Sequence, residues 1–304
     1  FVPATSTPVR DGMVIRTRSE ALATYRTIHL EPLLRYHYGD CQAPCALRCP
    51  AGIDIQRYLY HAAAGNFLEA IEVIKERNPM PLVCGRVCPH PCEDDCRRSA
   101  VDAPVNINGV KRFLADWDRR HAIPFQSACL GDSGRRVAVI GAGPAGLTAA
   151  YFLRRFGHQV TIFEMQEAAG GMLRWGIPDY RLPQNRLDEE IRSILDLGVE
   201  VRYHMKLGRD FSLASLKRDG FDAVFIGLGA QKASAIGVPG EDLPGVMSGL
   251  DFLARLARGQ RPAVGERVII IGGGNTAMDA ARSAVRLGAK DVKIAYRRTR
   301  QEMP

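Results

Sequence analysis

Two stretches of this chain repeat one another, and the repeat fixes most of what the chain can fold into. Arg135-Arg-Val-Ala-Val-Ile-Gly141-Ala-Gly143-Pro-Ala-Gly146 and Glu266-Arg-Val-Ile-Ile-Ile-Gly272-Gly-Gly274-Asn-Thr-Ala277 each run from an apolar strand, through a glycine turn, into an amphipathic helix. That setting makes a glycine turn a dinucleotide-binding turn. The first glycine permits the sharp bend, and the second lets the backbone approach a pyrophosphate. The third small residue lets the helix pack on its strand, and the helix N-terminus faces the phosphates. Two copies predict two Rossmann-like folds with parallel sheets, led by strands Val137–Ile140 and Val268–Ile271.

The ends of the next strands separate the two copies. Gln159-Val-Thr-Ile-Phe-Glu164 closes on a carboxylate. About 20 residues beyond the turn, a carboxylate accepts hydrogen bonds from both ribose hydroxyls and repels a 2′-phosphate. Asp291-Val-Lys-Ile-Ala-Tyr-Arg297-Arg298 closes on two guanidinium groups, which suit a 2′-phosphate through charge-assisted bonds. The first copy is expected to hold FAD and the second NADP(H). If Arg297 and Arg298 are only an exposed basic loop, NAD(H) remains open. Candidate FAD-binding residues are Gly141, Gly143, Pro144, Ala145, Gly146 and Glu164, with Gly171, Met172, Leu173, Arg181 and Gly229 from the segments between the repeats. The paired Gly170-Gly171 permits close approach to a flat ring; ordinary turns are the alternative. Candidates at the second site are Gly272, Gly274, Asn275, Thr276, Ala277, Arg297 and Arg298.

Seven of the eight cysteines fall within residues 41–96, as Cys41-x-x-x-Cys45-x-x-x-Cys49-Pro50 and Cys84-x-x-x-Cys88-Pro89-His90-Pro91-Cys92-x-x-x-Cys96. A spacing of four places successive thiols on one face of a helical turn. Disulfides suit secreted mini-domains, whereas a Rossmann-type chain points to the cytosol, where thiols stay reduced. Zinc favours Cys-x-x-Cys knuckles, which are absent here. Close-set thiolates followed by Cys-Pro favour iron–sulfur ligation, leaving zinc and structural thiols as the weaker readings. The metal candidates are Cys41, Cys45, Cys49, Cys88, Cys92 and Cys96.

Apolar residues at spacings of three and four predict a helix from Ile53 to Arg77, broken at Gly65-Asn66 and stopped by Asn78-Pro79. Further helices are expected over Arg18–Tyr38 and Val110–Arg120, and a linker at Gly131–Gly134. The fold class is thus α plus α/β: a helical iron–sulfur domain followed by two Rossmann-like domains, the second incomplete. The expected divisions are an extension over 1–40, the cluster domain over 41–130, the first part of an FAD domain over 135–262 and the start of an NAD(P)H domain over 263–304. The net charge of +8 would suit a nucleic-acid surface, but the basic pairs are scattered without stacking aromatics, so no nucleic-acid partner is expected. No window offers about 18 uninterrupted apolar residues, so no membrane span is expected.

The chain resembles the glutamate synthase small-subunit family, whose modules recur in dihydropyrimidine dehydrogenase and in electron-bifurcating ferredoxin:NADP oxidoreductases. The motifs that carry the resemblance run in family order from Cys41 to the last residue: C-x-x-x-C-P, N-P-M-P-L-V-C-G-R-V-C-P-H-P-C-E-x-x-C, P-V-N-I-N-G-V-K-R-F, G-A-G-P-A-G-L, G-G-M-L-R-W-G-I-P-x-Y-R-L-P, G-G-G-N-T-A-M-D and Y-R-R-T-R-Q-E-M-P. It implies FAD, NADPH and two [4Fe-4S] clusters. By matched position, Cys41, Cys45 and Cys96 would hold one cluster, and Cys49, Cys88 and Cys92 the other. Cys84 stands where the family usually has no ligand. Tyr38 replaces a further family cysteine, and Lys111 replaces an amide or carboxylate ligand. An ammonium has no lone pair to offer. Each cluster therefore lacks an evident fourth ligand, with Cys84, Asp40 or an outside cysteine as candidates, and one cluster is open to being absent. The opening Pro3 to Met13 resembles the tail of a [2Fe-2S] ferredoxin-like domain, with Thr5 at a usual cysteine position.

The expected role is a cytoplasmic electron-transfer subunit of a hetero-oligomer, passing electrons between NAD(P)H, FAD and clusters, to or from another redox subunit or a ferredoxin-like domain. The alternatives are a cluster-deficient docking subunit and a zinc-containing nucleic-acid binder. The second repeat stops after its first strand–helix–strand, so the chain is expected to be a piece of a longer one.

Overall fold

The computed structural model describes residues 7–36, 42–121 and 129–303. The expected end of the first helix at Tyr38, together with Thr5, Asp40 and Cys41, lies outside them. The helical portion comprises α1 (Glu20–Tyr36), α2 (Pro44–Arg48), α3 (Ile55–Ala63), α4 (Phe67–Lys75), α5 (Pro81–Val87), α6 (Pro91–Asp94), a 3-10 turn over Arg97–Ala100, and α7 (Ile107–His121). Proline sets its grammar. Pro44, Pro81 and Pro91 open α2, α5 and α6, where a missing N–H costs nothing and the fixed φ suits a helix. Pro50 and Pro89 close α2 and α5 by forcing the preceding cysteines out of the helical region, Cys49 to ψ 115° and Cys88 to ψ 132°. The Ile53–Arg77 run splits at Gly65-Asn66 as expected, and Asp54 caps α3 by accepting the Arg57 N–H at 3.1 Å. Helix α7 starts three residues earlier than its apolar pattern, because the Asn106 side chain accepts the Gly109 N–H at 2.9 Å and nucleates the first turn. Ile55, Tyr58, Ile71, Ile74 and Leu114 form the centre of this core.

The second portion alternates strands and helices: β1 (Arg136–Ile140), α8 (Pro144–Arg155), β2 (Gln159–Phe163), α9 (Met172–Trp175), α10 (Gln184–Leu195), β3 (Glu200–Arg202), α11 (Leu213–Arg218) and β4 (Ala223–Ile226). Its sheet is parallel throughout in the order β3-β2-β1-β4, with Ile140 in register with both Phe163 and Ile226. Then follow α12 (Gly249–Ala257), β5 (Arg267–Ile271), α13 (Asn275–Arg286) and β6 (Asp291–Ala295), with β5 and β6 paired in parallel. Phe252 and Leu253 of α12 bury against Ala280 and Ala284 of α13.

Two joints were invisible to sequence pattern. The Gly131–Gly134 stretch, read as a linker, is docked: Leu130 N–H donates to Arg155 O at 2.8 Å and Ser133 N–H to Gly157 O at 3.0 Å. The helical portion also shares a core with the first sheet's helices. Met80 and Val83 pack in one cluster with Leu147, Ala150, Ile191 and Ile194. Continuous close packing of this kind transmits position from one portion to the other.

Candidate functional site

The first glycine turn sits at the C-terminal end of β1. Gly141 takes φ +99°, a left-handed value that side chains resist, and donates its N–H to Phe163 O at 2.8 Å. A Cβ there would strike the Gly227 carbonyl, and one at Gly146 would strike the Gly141 carbonyl, so helix α8 lies directly on the turn. Gly143 caps α8 and Pro144 opens it, leaving Pro144 and Ala145 exposed at the helix mouth. Gly171 faces this turn across a narrow gap: a Cβ on it would stand 2.8 Å from Gly143 Cα. Met172 and Leu173 follow at the start of α9, half-buried. Glu164 lies opposite, 3% exposed, with one carboxylate oxygen accepting the Ala142 N–H at 2.7 Å and the other the Gln166 N–H at 2.8 Å. The structure thus gathers Gly141, Gly143, Pro144, Ala145, Gly146, Glu164, Gly171, Met172 and Leu173 around one turn. This backbone cradle, closed to a Cβ at Gly141, Gly146 and Gly171, is the kind of surface a pyrophosphate fits. Gly229, at φ +70°, is exposed beyond β4 with open space around it.

Arg181 reaches elsewhere. Its guanidinium pairs with Asp279 of α13 at 2.6 Å, and the Tyr180 hydroxyl donates to the Asp279 carbonyl at 3.3 Å. Among the described residues, Asp279 Oδ1 and Trp175 Nε1 are buried polar atoms without a hydrogen-bond partner, and α9, which carries Trp175, lies against α12. Asp279 closes the G-G-G-N-T-A-M-D motif, but its pairing could not be read from sequence, because nothing local marks a partner 98 residues away. At the second turn, Gly272 takes φ +131° and donates to Ala295 O at 2.9 Å. The Tyr296 ring covers Gly273; Gly274, Asn275 and Thr276 are exposed at the start of α13, and Ala277 is buried under it. Arg297 and Arg298 are exposed just past β6, and among the described residues no carboxylate pairs with either.

The cysteines lie on short helices and their caps. Cys45 is within α2, Cys92 within α6, Cys49 and Cys88 cap the C-termini of α2 and α5, and Cys96 precedes the 3-10 turn. Cys45 is close enough to Cys96 and Cys49, and Cys92 to Cys49 and Cys88, for their thiolates to repel; burial first and those neighbours after it raise the Cys45 and Cys92 thiols, Cys92 to about 11. Tyr58 lies beneath them, its hydroxyl donating to Ile107 O at 2.9 Å; burial, then Cys92, Cys49 and Cys45, push its pKa up. His90, at φ +44°, donates its N–H to Cys88 Sγ at 3.3 Å. Among the described residues no three His, Cys, Asp or Glu side chains converge on a single ion position. A four-iron cluster instead spreads its thiolates over separate irons, so an all-thiol set of this kind fits it. Cys84 donates to Asn78 Oδ1 at 3.6 Å, and burial raises it to about 11 against the pull of Lys111.

Residues 38–123 match the family model described as dihydropyrimidine dehydrogenase domain II, 4Fe-4S cluster, and residues 135–303 match pyridine nucleotide-disulphide oxidoreductase. The chain is 44% identical to the NADPH-Fe(3+) oxidoreductase subunit beta of Geobacter sulfurreducens over 98% of its own length and 45% of that protein's. It is 44% identical to the NADP(+)-dependent formate dehydrogenase subunit beta of Moorella thermoacetica (86% and 40%) and 37% identical to the glutamate synthase [NADPH] small chain of Halomonas elongata (86% and 57%). The chain therefore spans less than half the length of the first two relatives. Among the described residues no helix is long and apolar enough to cross a membrane. With residues 38–123 matching the 4Fe-4S cluster domain and the larger part, residues 135–303, matching the nucleotide-binding one, the chain belongs to the pyridine nucleotide-disulphide oxidoreductase family.

Proposed function

We propose that this chain is the electron-transfer part of a cytoplasmic, hetero-oligomeric oxidoreductase that uses NADP(H) in preference to NAD(H). The observation that carries the reading is the shared core. Helix α5, which ends at Cys88, is packed by Met80 and Val83 onto the helices that flank the first glycine turn. Cys88 and the first glycine turn thus sit on elements packed against one another, which supports electron exchange between a cluster and a flavin held there. When bound, FAD exchanges a hydride with the nicotinamide and single electrons with the clusters.

The chain's own residues bind and orient. Gly141, Gly143, Pro144, Ala145 and Gly146 would cradle the FAD pyrophosphate, with Glu164 on the ribose and Gly171, Met172, Leu173 and Gly229 along the ring side. Arg181 would hold the two repeats in register through Asp279. Gly272, Gly274, Asn275, Thr276 and Ala277 would take the second pyrophosphate, and the unpaired Arg297 and Arg298 the 2′-phosphate. Cys45 and Cys96, with Cys41, would serve one [4Fe-4S] cluster and Cys49, Cys88 and Cys92 the other. The acceptor is another redox subunit or a ferredoxin-like domain; the relatives named as beta subunits and small chains support assembly with other chains. Flavin, iron and acid-labile sulfide assays on the anaerobically purified full-length protein test the reading. Flavin with roughly four to eight irons per chain is expected for one or two cubane clusters; protein with neither flavin nor iron would overturn it.

A further inference from the structure

Lys111 projects from α7 into the cysteine-bearing core and is only 7% exposed. Helix α7 lies directly on α5, where a Cβ at Gly85 would stand 2.8 Å from Arg112 Cα, and its Leu114 shares a core with Cys92; there the Lys111 charge opposes the upward push of burial on the Cys84 and Cys92 thiols. Among the described residues no carboxylate stands within ion-pair distance of Lys111, although other cations of the helical portion are matched. Lys75 pairs with Asp118 at 2.6 Å, Arg86 with Asp116 at 2.6 Å, and Arg119 with Glu189 at 3.8 Å. Two further acids of this region have other partners: Glu190 accepts the Val83 N–H, and Glu93 accepts the Asn108 N–H and lies 3.5 Å from His90 Nδ1. A lysine this buried, with no counter-charge, favours an anion in contact with its head group.

We propose that this anion is the cluster held by Cys49, Cys88 and Cys92, and that Lys111 is its buried counter-cation rather than an iron ligand. The inference rests on the cluster reading above. Three thiolates on a [4Fe-4S] core of charge +2 leave a net negative charge, and one-electron reduction adds another. An adjacent fixed cation stabilises the reduced form more than the oxidised form, and so raises the reduction potential of that cluster. Lys111 then acts as a positioning and tuning residue. It occupies the place from which a fourth ligand would come, and supplies charge instead of a lone pair.

Lys111→Met removes the charge at similar volume, and Lys111→Arg keeps it. The full-length protein and both variants are purified anaerobically, assayed for iron and sulfide, and titrated redox-potentiometrically with EPR detection. The expected result is equal iron in all three proteins, a lower midpoint potential for one cluster in Lys111→Met, and a potential near that of the unaltered protein in Lys111→Arg. Iron retained by Lys111→Arg but lost from Lys111→Met also supports a charge requirement. Unshifted potentials in iron-replete Lys111→Met overturn the proposal, as does equal iron loss in both variants, which would make Lys111 a ligand. Absence of iron from the unaltered protein overturns instead the cluster reading on which the proposal rests.

Discussion

Glu190 of α10 accepts the backbone N–H of Val83 at 2.8 Å, a buried bond that ties the first turn of α5, the helix capped by Cys88, to the nucleotide-binding portion. Together with the Tyr151 hydroxyl, which donates to Lys75 O at 3.1 Å, it makes the joint between the two portions polar at its edge and apolar at its centre. Burial dominates the Glu190 carboxyl and raises it to about 8, against the opposing pulls of the Val83 N–H and Lys75.

The joint should therefore be pH-dependent. Folded, Glu190 keeps its proton up to about 8; unfolded, it loses it near its ordinary value of 4.5. Its contribution to stability is fully present below the lower value, is lost as pH rises through the interval, and levels off above the higher. Glu190→Gln keeps an acceptor for Val83 and never ionises. Denaturant unfolding should show the variant ahead by a few kcal/mol, on the order expected from the linkage, at pH 8.5 and close to the unaltered protein at pH 5. Parallel stability curves would contradict this.

Arg181 and Asp279 form a pair in which the aspartate is nearly sealed from solvent. Removing one partner leaves a buried charge alone, so Arg181→Met should cost about 3–5 kcal/mol. Arg181→Met with Asp279→Asn should recover part of that loss. A double-mutant cycle by urea unfolding measures the coupling, and simple additivity would count against the pair.

Gly171 combines φ +52° with a backbone neighbour 2.8 Å from any added Cβ. Gly171→Ala should cost roughly 1–3 kcal/mol locally and open the gap to Gly143. Flavin content should fall while far-UV circular dichroism stays unchanged. Full flavin retention would remove Gly171 from the proposed cradle.

Arg297 and Arg298 have no acidic partner among the described residues, so a 2′-phosphate would find them free. Replacing both with Gln should lower kcat/KM for NADPH by about tenfold or more per charge-assisted bond lost, and change that for NADH little. Equal loss with both nucleotides would mean that these arginines do not read the phosphate.

Local pattern carried much of this molecule. The apolar runs before Gly141 and Gly272 became β1 and β5, and the Gly65-Asn66 break separated α3 from α4. Such features depend on neighbours a few residues apart. The Glu190–Val83 bond spans 107 residues and the Arg181–Asp279 pair 98, and neither leaves a periodic or compositional trace. The Gly131–Gly134 stretch leads into β1 as a linker would, and its docking left no local trace for a related reason: small polar residues permit a turn whether or not it is pinned. Lys111 was visible as a departure from the resembled family, but its burial without a counter-charge required the packing of α7.

The central claim is that flavin cradle and cluster thiols form one electron-conducting unit. Anaerobic titration of the full-length protein with NADPH, following flavin absorption and the EPR signal of reduced clusters together, tests it most directly. Bleaching of the flavin is expected together with the growth of a reduced-cluster signal. A flavin that bleaches while iron-replete clusters stay oxidised, even though dithionite reduces them, would contradict it.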